Sequence, residues 1–333
     1  MIVGVNTDPQ HFEDDLAAHA RNLKAAGFTM VRFPLVYQTG VDLAAKFCDA
    51  CIPLGLDPLP VFARESFNNP SGEWWGQFSY WRDMLWGVRH WQIGNEADHQ
   101  SGSSWTMPED RFSDLLDDAR HALGPDAYLI AGGMVSGNPA YLDGVDLGPV
   151  DAIAVHPYGQ RPQGWANANF GFGWAEELIA RYQRFGKPVW VTEYGAPSFE
   201  MTDPQKRGDY YAMMLDTLAP YCAAAFPFKF EDNGVPGFGI EGTPALAAVS
   251  AAIANLQDTT PVVETETGSG FTGGPMKLEE LAAIQHGGVY GTPVVIGGTK
   301  KKPTARIAWV NRPEHSFILE INGEADGPYL PLV

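Results

Sequence analysis

Two glutamates follow apolar segments of the chain and are suited to paired acid–base and nucleophilic chemistry. Residues 91–94 lead into Asn95 and Glu96, and residues 189–192 lead into Glu193. A single glutamate in such a place could simply cap a helix. Two glutamates that meet at one site could together cleave a glycosidic bond. One would protonate the leaving oxygen, while the other, ionised, would attack the anomeric carbon. We therefore treat Glu96 and Glu193 as the candidate catalytic pair.

The elements that must position this pair alternate between apolar strands and amphipathic helices from residue 1 to about 256. Strand character is found at 2–6, 30–35, 56–62, 90–95, 128–133, 152–156, 188–193 and 222–228. Helical periodicity is found at 11–26, 41–51, 108–123, 174–185, 204–219 and 244–256, and another helix begins at Trp74. Strands that are apolar on both faces indicate a parallel sheet covered by helices.

Eight strand–helix units within 256 residues match the length of a closed barrel. The predicted fold class is therefore α/β, a (β/α)₈ TIM barrel, in which residues at the carboxyl ends of the strands meet at one mouth. A doubly wound open sheet is the alternative, but no Gly-x-Gly-x-x-Gly motif follows the first strand.

The composition changes after residue 256. Residues 257–275 are rich in Thr, Gly, Pro and Glu and are predicted to form a linker or long loop. Residues 276–333 contain a short helical segment, 277–285, and then β-type runs at 289–296, 305–310 and 316–321. We expect a small C-terminal β-rich appendage.

The positions of the two glutamates resemble those in the clan of retaining (β/α)₈ glycoside hydrolases that includes cellulases, mannanases, galactanases and xylosidases. The resemblance lies in Asn95-Glu96 after the fourth strand and in Glu193 after the seventh. It implies that Glu96 is the acid/base and Glu193 the nucleophile. It also implies that Asn95 binds the sugar 2-hydroxyl beside the cleaved bond.

Further motifs extend the resemblance along the barrel. Arg32, in Val-Arg-Phe-Pro of the second strand, corresponds to the clan's arginine that orients the nucleophile. His156 and Tyr158 form a His-x-Tyr motif, which in the clan places polar groups beside the nucleophile. Many members carry a tryptophan at the end of the eighth strand as the floor of the cleavage subsite. Here Phe228 is the candidate, and a phenylalanine can stack on a sugar but cannot donate a hydrogen bond.

Ten tryptophans in one chain suggest aromatic platforms for a ligand as well as a large core. We predict that Trp75, in a mouth loop, and Trp165, in the loop at 160–173, form sugar subsites; core packing is the alternative for each. Trp81 and Trp86, further along the same helix as Trp75, are predicted to lie in the core.

Charge and composition exclude several classes of partner. The net charge of −18 and the single basic run, Lys300–Lys302, argue against nucleic acid and fit a neutral oligo- or polysaccharide. No apolar run is long enough to span a bilayer, so we expect no membrane association. The chain opens without a signal peptide, which leaves its localisation undetermined: cytoplasmic, released without a signal, or secreted if a signal was trimmed.

No grouping of residues suggests a metal or an organic cofactor, so we expect neither. The three cysteines, Cys48, Cys51 and Cys222, are interpreted as buried free thiols. We expect a monomer.

Three functional hypotheses follow. The first is a retaining glycoside hydrolase that cleaves β-linked oligo- or polysaccharides through a covalent glycosyl-enzyme. The second is a bacteriophage or bacterial hydrolase of cell-wall or capsule glycans. The third is a non-catalytic carbohydrate-binding barrel, against which the presence of both Glu96 and Glu193 argues.

Overall fold

The computed structural model describes residues 1–37, 41–68, 74–99, 106–135, 139–165, 173–232 and 235–259, and then 294–295, 305–311, 316–321 and 324–329. The chain divides into two units, Met1–Gln257 and Asp258–Val333. Each is described by itself below.

Eight parallel strands form a closed barrel in the first unit. They are β1 (Ile2–Asn6), β2 (Met30–Pro34), β3 (Asp57–Phe62), β4 (His90–Ile93), β5 (Tyr128–Met134), β6 (Ala152–Val155), β7 (Val189–Tyr194) and β8 (Ala224–Pro227). Each strand pairs with the next in chain order, and β8 pairs with β1 to close the barrel, with Ile2 opposite Ala224. The prediction of a TIM barrel is confirmed, and the doubly wound alternative is wrong.

Seven α-helices are described outside the strands. They are α1 (Leu16–Ala25), α2 (Val41–Cys51), α3 (Trp74–Met84), α4 (Glu109–Leu123), α5 (Ala175–Gln183), α6 (Pro204–Leu218) and α7 (Pro244–Thr259). Between β5 and β6 the described residues form a short 3₁₀ helix, Pro139–Gly144, instead of an α-helix. Pro139, Gly144 and Pro149 leave too little uninterrupted chain there for an α-helix.

Two helical predictions differ from the structure in detail. The segment predicted as one helix at 11–26 is split into a 3₁₀ turn, Pro9–Phe12, and α1, because Asp8 and Asp15 each cap a separate helix start. Trp86 was predicted for the core, but its side chain is 87% exposed. The helix ends at Met84, so Trp86 lies in the following turn, outside the helical periodicity that keeps Trp81 buried.

The inside of the barrel changes character along the strands. Apolar side chains fill its lower part: Met30, Leu59, Ile130, Trp190 and Phe226. Side chains two residues apart on a strand share a face. The inward positions two residues beyond Met30 and Trp190 are therefore Arg32 and Thr192, which begin the polar layer at the mouth.

The described strands of the second unit form a four-stranded antiparallel sheet. They are β9 (Val294–Val295), β10 (Ala305–Asn311), β11 (Ser316–Ile321) and β12 (Glu324–Tyr329). These strands lie within the segment predicted as β-rich, whereas the predicted helix at 277–285 and most of the predicted linker lie outside the described residues. The role of this unit as an appendage stays a prediction. Among the described residues no helix has both the length and the apolar character that crossing a membrane requires.

Candidate active site

Arg32 joins four side chains across the mouth of the barrel. It projects from β2 and is buried, with 5% exposure. Its side chain donates to Asn6 Oδ1 at the end of β1, to Gln92 Oε1 on β4, to Asn95 Oδ1 after β4 and to Glu193 Oε1 on β7. A buried guanidinium is stable only with such complete pairing.

Both oxygens of the Glu193 carboxylate are engaged. Oε1 accepts from Arg32 Nη1 at 2.6 Å, and Oε2 accepts from the hydroxyl of Tyr158 at 2.8 Å. Glu193 is only 7% exposed. Because charge-assisted bonds reach both oxygens, the carboxylate is fixed in one orientation in the mouth.

Burial is the main cause that raises the pKa of the Tyr158 hydroxyl well above its usual value of 10.0, and the charge of Glu193 adds to it. The phenol therefore remains protonated at neutral pH and continues to donate to the carboxylate.

Glu96 lies three residues beyond β4 in an unusual backbone conformation. Its φ is 53°, in the left-handed region that non-glycine residues seldom adopt. Its N–H donates to the carbonyl of Gly133 on β5, and its carbonyl accepts from the N–H of His99. These two bonds hold the residue in this conformation, which is of a kind that clusters at functional sites.

His156 lies between the two glutamates. It is 1% exposed, with Nδ1 at 3.1 Å from Glu96 Oε1 and Nε2 at 3.1 Å from Thr192 Oγ1 and 3.6 Å from Glu193 Oε1. Polar atoms of His156, Glu96 and Glu193 all lie within 4.8 Å of one another. One carboxylate oxygen of Glu96 is thus no more than 4.8 Å from one of Glu193.

This trio also has the composition of a metal site. Glu193, however, already accepts from the permanently charged guanidinium of Arg32 at 2.6 Å. A cation bound to the same carboxylate would stand beside that positive charge, which disfavours a metal here.

Three polar residues that support the site were not predicted from the sequence. Asn6 donates to the carbonyls of Thr192 and Pro227, and thereby connects β1 to β7 and β8. Gln92 accepts from Arg32 and donates to the carbonyl of Gly132. A polar residue on the inward face of an otherwise apolar strand was the available signal for Asn6, Gln92 and Thr192.

Tyr158, the donor to Glu193, belongs to a cluster of three aromatic rings. Tyr158, Phe228 and Phe238 contact one another at nearly perpendicular angles, with ring centroids 5.5–6.2 Å apart. Phe228 was selected from the sequence, whereas Phe238, in the loop after β8, was not. The loop carries no strand or helix pattern that would indicate where its phenylalanine points.

The two predicted tryptophan platforms lie in different surroundings. Trp75, in the first turn of α3, is 56% exposed, as a surface platform requires. Trp165 packs edge-on against Tyr210 of α6, and its neighbour Gln163 is bonded to Thr217 near the end of the same helix. Among the described residues, the ring contact found for Trp165 is with Tyr210, and the subsite roles of both tryptophans stay predictions.

No family model matches the sequence, and no curated protein matches it. Solved structures do match. A GH5 cellulase from an Icelandic hot spring isolate superposes with a TM-score of 0.55 at 13% identity, over 77% of this chain and 88% of that one. An endo-1,4-β-D-mannanase from Thermotoga petrophila gives 0.54 at 14% identity, over 76% and 99%.

The chain has the fold of the retaining TIM-barrel glycoside hydrolases. A GH128 endo-β-1,3-glucanase from Amycolatopsis mediterranei, solved with laminaritriose, also superposes, with a TM-score of 0.51 at 18% identity over 75% of this chain and 99% of that one. Since cellulase, mannanase and β-1,3-glucanase structures all share this barrel, the fold leaves the sugar open. The roles of individual residues must rest on the geometry of this chain.

Proposed function

We propose that this protein is a retaining glycoside hydrolase that cleaves β-linked oligo- or polysaccharides, with Glu193 as nucleophile and Glu96 as acid/base. The observation that carries the proposal is that one carboxylate oxygen of Glu96 lies within 4.8 Å of one carboxylate oxygen of Glu193, a proximity that favours the shorter of the two carboxyl spacings known for glycosidases. Retaining enzymes place their carboxyl groups about 5–5.5 Å apart, and inverting enzymes about 6.5–9.5 Å.

The first chemical step forms a bond between Glu193 and the anomeric carbon. As that bond forms, the glycosidic C–O bond breaks, and Glu96 gives its proton to the leaving oxygen. Arg32 and Tyr158 support this assignment because they hold Glu193 in place from both oxygens. Preorganised donors of this kind need no rearrangement when the charge on the carboxylate changes.

The second step releases the sugar. Glu96, now ionised, takes a proton from a water molecule, whose oxygen attacks the anomeric carbon and displaces Glu193. The side chain of Glu96 is 21% exposed against 9% for Glu193, which suits a residue that must meet both a leaving group and water. Nδ1 of His156 lies 3.1 Å from Glu96 Oε1, so the imidazole can form a hydrogen bond with this carboxyl group as it loses and regains its proton.

The remaining predicted residues have places in this scheme. Asn95, held by Arg32, is proposed to bind the sugar 2-hydroxyl, and Phe228 to stack on the sugar at the cleaved bond. Trp75 is proposed to extend the binding surface. All the catalytic groups come from one chain, so the proposed site needs no second copy.

The test is release of reducing ends from β-glucans, mannans, galactans, xylans and peptidoglycan by the wild type and by Glu193→Gln. We expect activity on at least one glycan and its loss in the variant. Glu177→Gln, the same change at an exposed position of α5, is the matched control and should keep wild-type activity. Peptidoglycan as the only substrate would select the cell-wall alternative.

Azide distinguishes the two roles in the same experiment. With an activated aryl glycoside, Glu96→Ala should form the glycosyl-enzyme and then release a β-glycosyl azide, whereas Glu193→Ala should give the α-azide by direct attack. The opposite pairing of variant and product would reverse the assignment. Glycan binding without hydrolysis by the wild type would instead favour the carbohydrate-binding barrel.

A further inference from the structure

The loop after β8 contains a turn, Gly237-Phe238-Gly239, that is held from both sides. Asp232 Oδ1 accepts the N–H of Gly237 at 2.6 Å and that of Gly239 at 3.0 Å. Arg207 on α6 donates to the carbonyl of each glycine at 2.6 Å. The carboxylate of Asp232 and the guanidinium of Arg207 therefore fix the backbone on both sides of Phe238.

The two glycines leave Phe238 as the only side chain that the turn presents. A Cβ on Gly239 would stand 2.6 Å from the backbone nitrogen of Asp232, which is too close for any side chain. Gly237 has φ +87°, and a Cβ there would stand 3.1 Å from Ser198 Oγ. Glycine is required at both positions for reasons of space and backbone conformation.

The ring of Phe238 reaches the residues that surround the nucleophile. It contacts the ring of Tyr158 at 5.9 Å and that of Phe228 at 5.5 Å between centroids. It also packs on Gly195, where an added Cβ would stand 3.3 Å from the ring. These three neighbours follow β6, β8 and β7, and Tyr158 is the residue that donates to Glu193.

The turn is fixed by buried polar groups as well as by the packing of its ring. Arg207 is 5% exposed, and a guanidinium loses its hydration when it is buried, whereas an apolar contact needs no such group. Phe238 itself remains partly exposed at the mouth, unlike the fully buried Phe226 below it. The turn therefore holds the Phe238 ring in a defined position against Tyr158, the residue that donates to Glu193.

We propose that Phe238 is a specificity-determining residue that forms, with Phe228, an aromatic wall around the sugar whose anomeric carbon meets Glu193. This inference rests on the proposed function. Two phenyl rings offer apolar contacts and no hydrogen-bond donor. We therefore expect the wall to favour a pyranose that presents a face of C–H groups to the rings. A sugar that turns a hydroxyl toward the wall leaves that hydroxyl unpaired and is disfavoured.

The test separates binding from catalysis by using the inactive Glu193→Gln background. Calorimetry compares binding of cellotetraose, mannotetraose, laminaritetraose, xylotetraose and an oligosaccharide of whichever glycan the wild type hydrolyses. The proteins compared are Glu193→Gln alone and Glu193→Gln combined with Phe238→Ala, Phe238→Leu or Phe199→Ala. Removing the ring should weaken the best ligand by about 10- to 200-fold and reduce the differences among these ligands, since pocket contacts of this size discriminate by such factors.

Phe199→Ala is the control, and Phe238→Leu is a second test variant. Phe199 is 68% exposed beside the same turn and has no ring contact with Tyr158 or Phe228 in the described part of the chain, so Phe199→Ala should bind as the background does. Phe238→Leu keeps apolar volume and remains testable if the alanine variant does not fold. It should lose affinity in the same direction.

The outcomes distinguish this inference from the proposed function. If the wild type hydrolyses a glycan and Glu193→Gln does not, but both Phe238 variants keep the affinity and sugar preference of the background, Phe238 is a packing residue and the inference is wrong. If the wild type neither hydrolyses nor binds any of these glycans, the proposed function fails, and the inference fails with it.

Discussion

Glu193 and Glu96 differ in how tightly their surroundings hold them. Glu193 has a charged donor on one oxygen and a neutral donor on the other, and it is nearly buried. Glu96 is more exposed and has His156 at 3.1 Å. A nucleophile benefits from a single fixed orientation, whereas an acid/base must serve a leaving oxygen and later a water molecule. These differences support the proposed assignment of Glu193 as nucleophile and Glu96 as acid/base.

Replacing Tyr158 by phenylalanine tests how much the fixed orientation of Glu193 contributes. A hydrogen bond to a charged group is worth about 1.5–3 kcal/mol, so kcat should fall by about tenfold to a hundredfold while KM changes little. Tyr141→Phe, which removes a hydroxyl bonded to the Met107 carbonyl away from the site, is the control for stability. Equal losses of activity in both variants would contradict the role given to Tyr158.

The pH dependence of activity adds a second check on Tyr158. Its pKa lies above the usual 10.0, so the phenol keeps its proton, and its bond to Glu193, throughout the neutral and mildly alkaline range. Any loss of wild-type activity below pH 10 should therefore persist in Tyr158→Phe.

At the scale of elements, β5 holds two residues of the candidate site through its backbone carbonyls. The strand contains Gly132 and Gly133, and its pairing with β6 shifts register between Gly132 and Met134. This irregularity turns the carbonyl of Gly132 toward Gln92 and that of Gly133 toward the N–H of Glu96. The sequence indicated the strand but not the shift, because a bulge depends on what the neighbouring strand presents.

Gly133→Ala should reduce activity as well as stability. A Cβ there would stand 2.7 Å from His156 Nε2 and 3.0 Å from Gln92 Nε2, so the imidazole between the two glutamates must move. Gly124→Ala, after α4, also has positive φ but meets nothing within 4 Å. Both should lose about 1–3 kcal/mol of unfolding free energy, measured in urea. Only Gly133→Ala should lower kcat/KM; an unchanged kcat/KM would contradict the steric explanation.

For the whole first unit, the seam between the first and last strands carries a buried polar connection. His19 on α1 is 2% exposed, and its Nε2 lies 2.8 Å from the hydroxyl of Thr7, which follows β1. That hydroxyl donates to the carboxylate of Glu231, which follows β8, and the N–H of Asp8 donates to the same carboxylate. One hydrogen-bond network therefore connects helix α1 with the segments that follow the first and the last strands of the barrel.

Burial lowers the pKa of His19 from 6.5 to about 4, so the folded protein holds this imidazole neutral. The unfolded chain takes up a proton first as the pH falls. The free energy of unfolding therefore keeps its full value above pH 6.5 and decreases as the pH falls toward 4, by about 3 kcal/mol at most. Urea unfolding of His19→Gln should therefore show a weaker pH dependence than the wild type between these values.

The control for this prediction is His121→Gln, since the side chain of His121 is 70% exposed. It should follow the wild type across the same range. If His19→Gln also follows the wild type, another group accounts for the pH dependence and the explanation is wrong.

The repeated strand pattern predicted the barrel, and the resemblance to a known clan predicted the residues that meet at its mouth. The eight strands repeat one local pattern, and Glu96, Glu193, Arg32 and His156 stand at fixed places relative to it, so the resemblance could place them. Phe238 lies in a loop whose conformation depends on Arg207 and Asp232, and contacts of that kind leave no periodic signal. The prediction that Trp86 lies in the core was wrong because the helical pattern was extended past Met84, where the helix ends.

The bond between Arg32 and Glu193 joins residues that are 161 positions apart in the chain. It can form only after β7 has entered the barrel beside β6 and β8. In a chain interrupted before β7, the amide oxygens of Asn6, Gln92 and Asn95 can still accept from Arg32, but the carboxylate that pairs with it in the complete barrel is missing. The Arg32–Glu193 ion pair therefore requires the seventh strand in place, and we expect truncation of the chain before β7 to abolish the proposed hydrolytic activity.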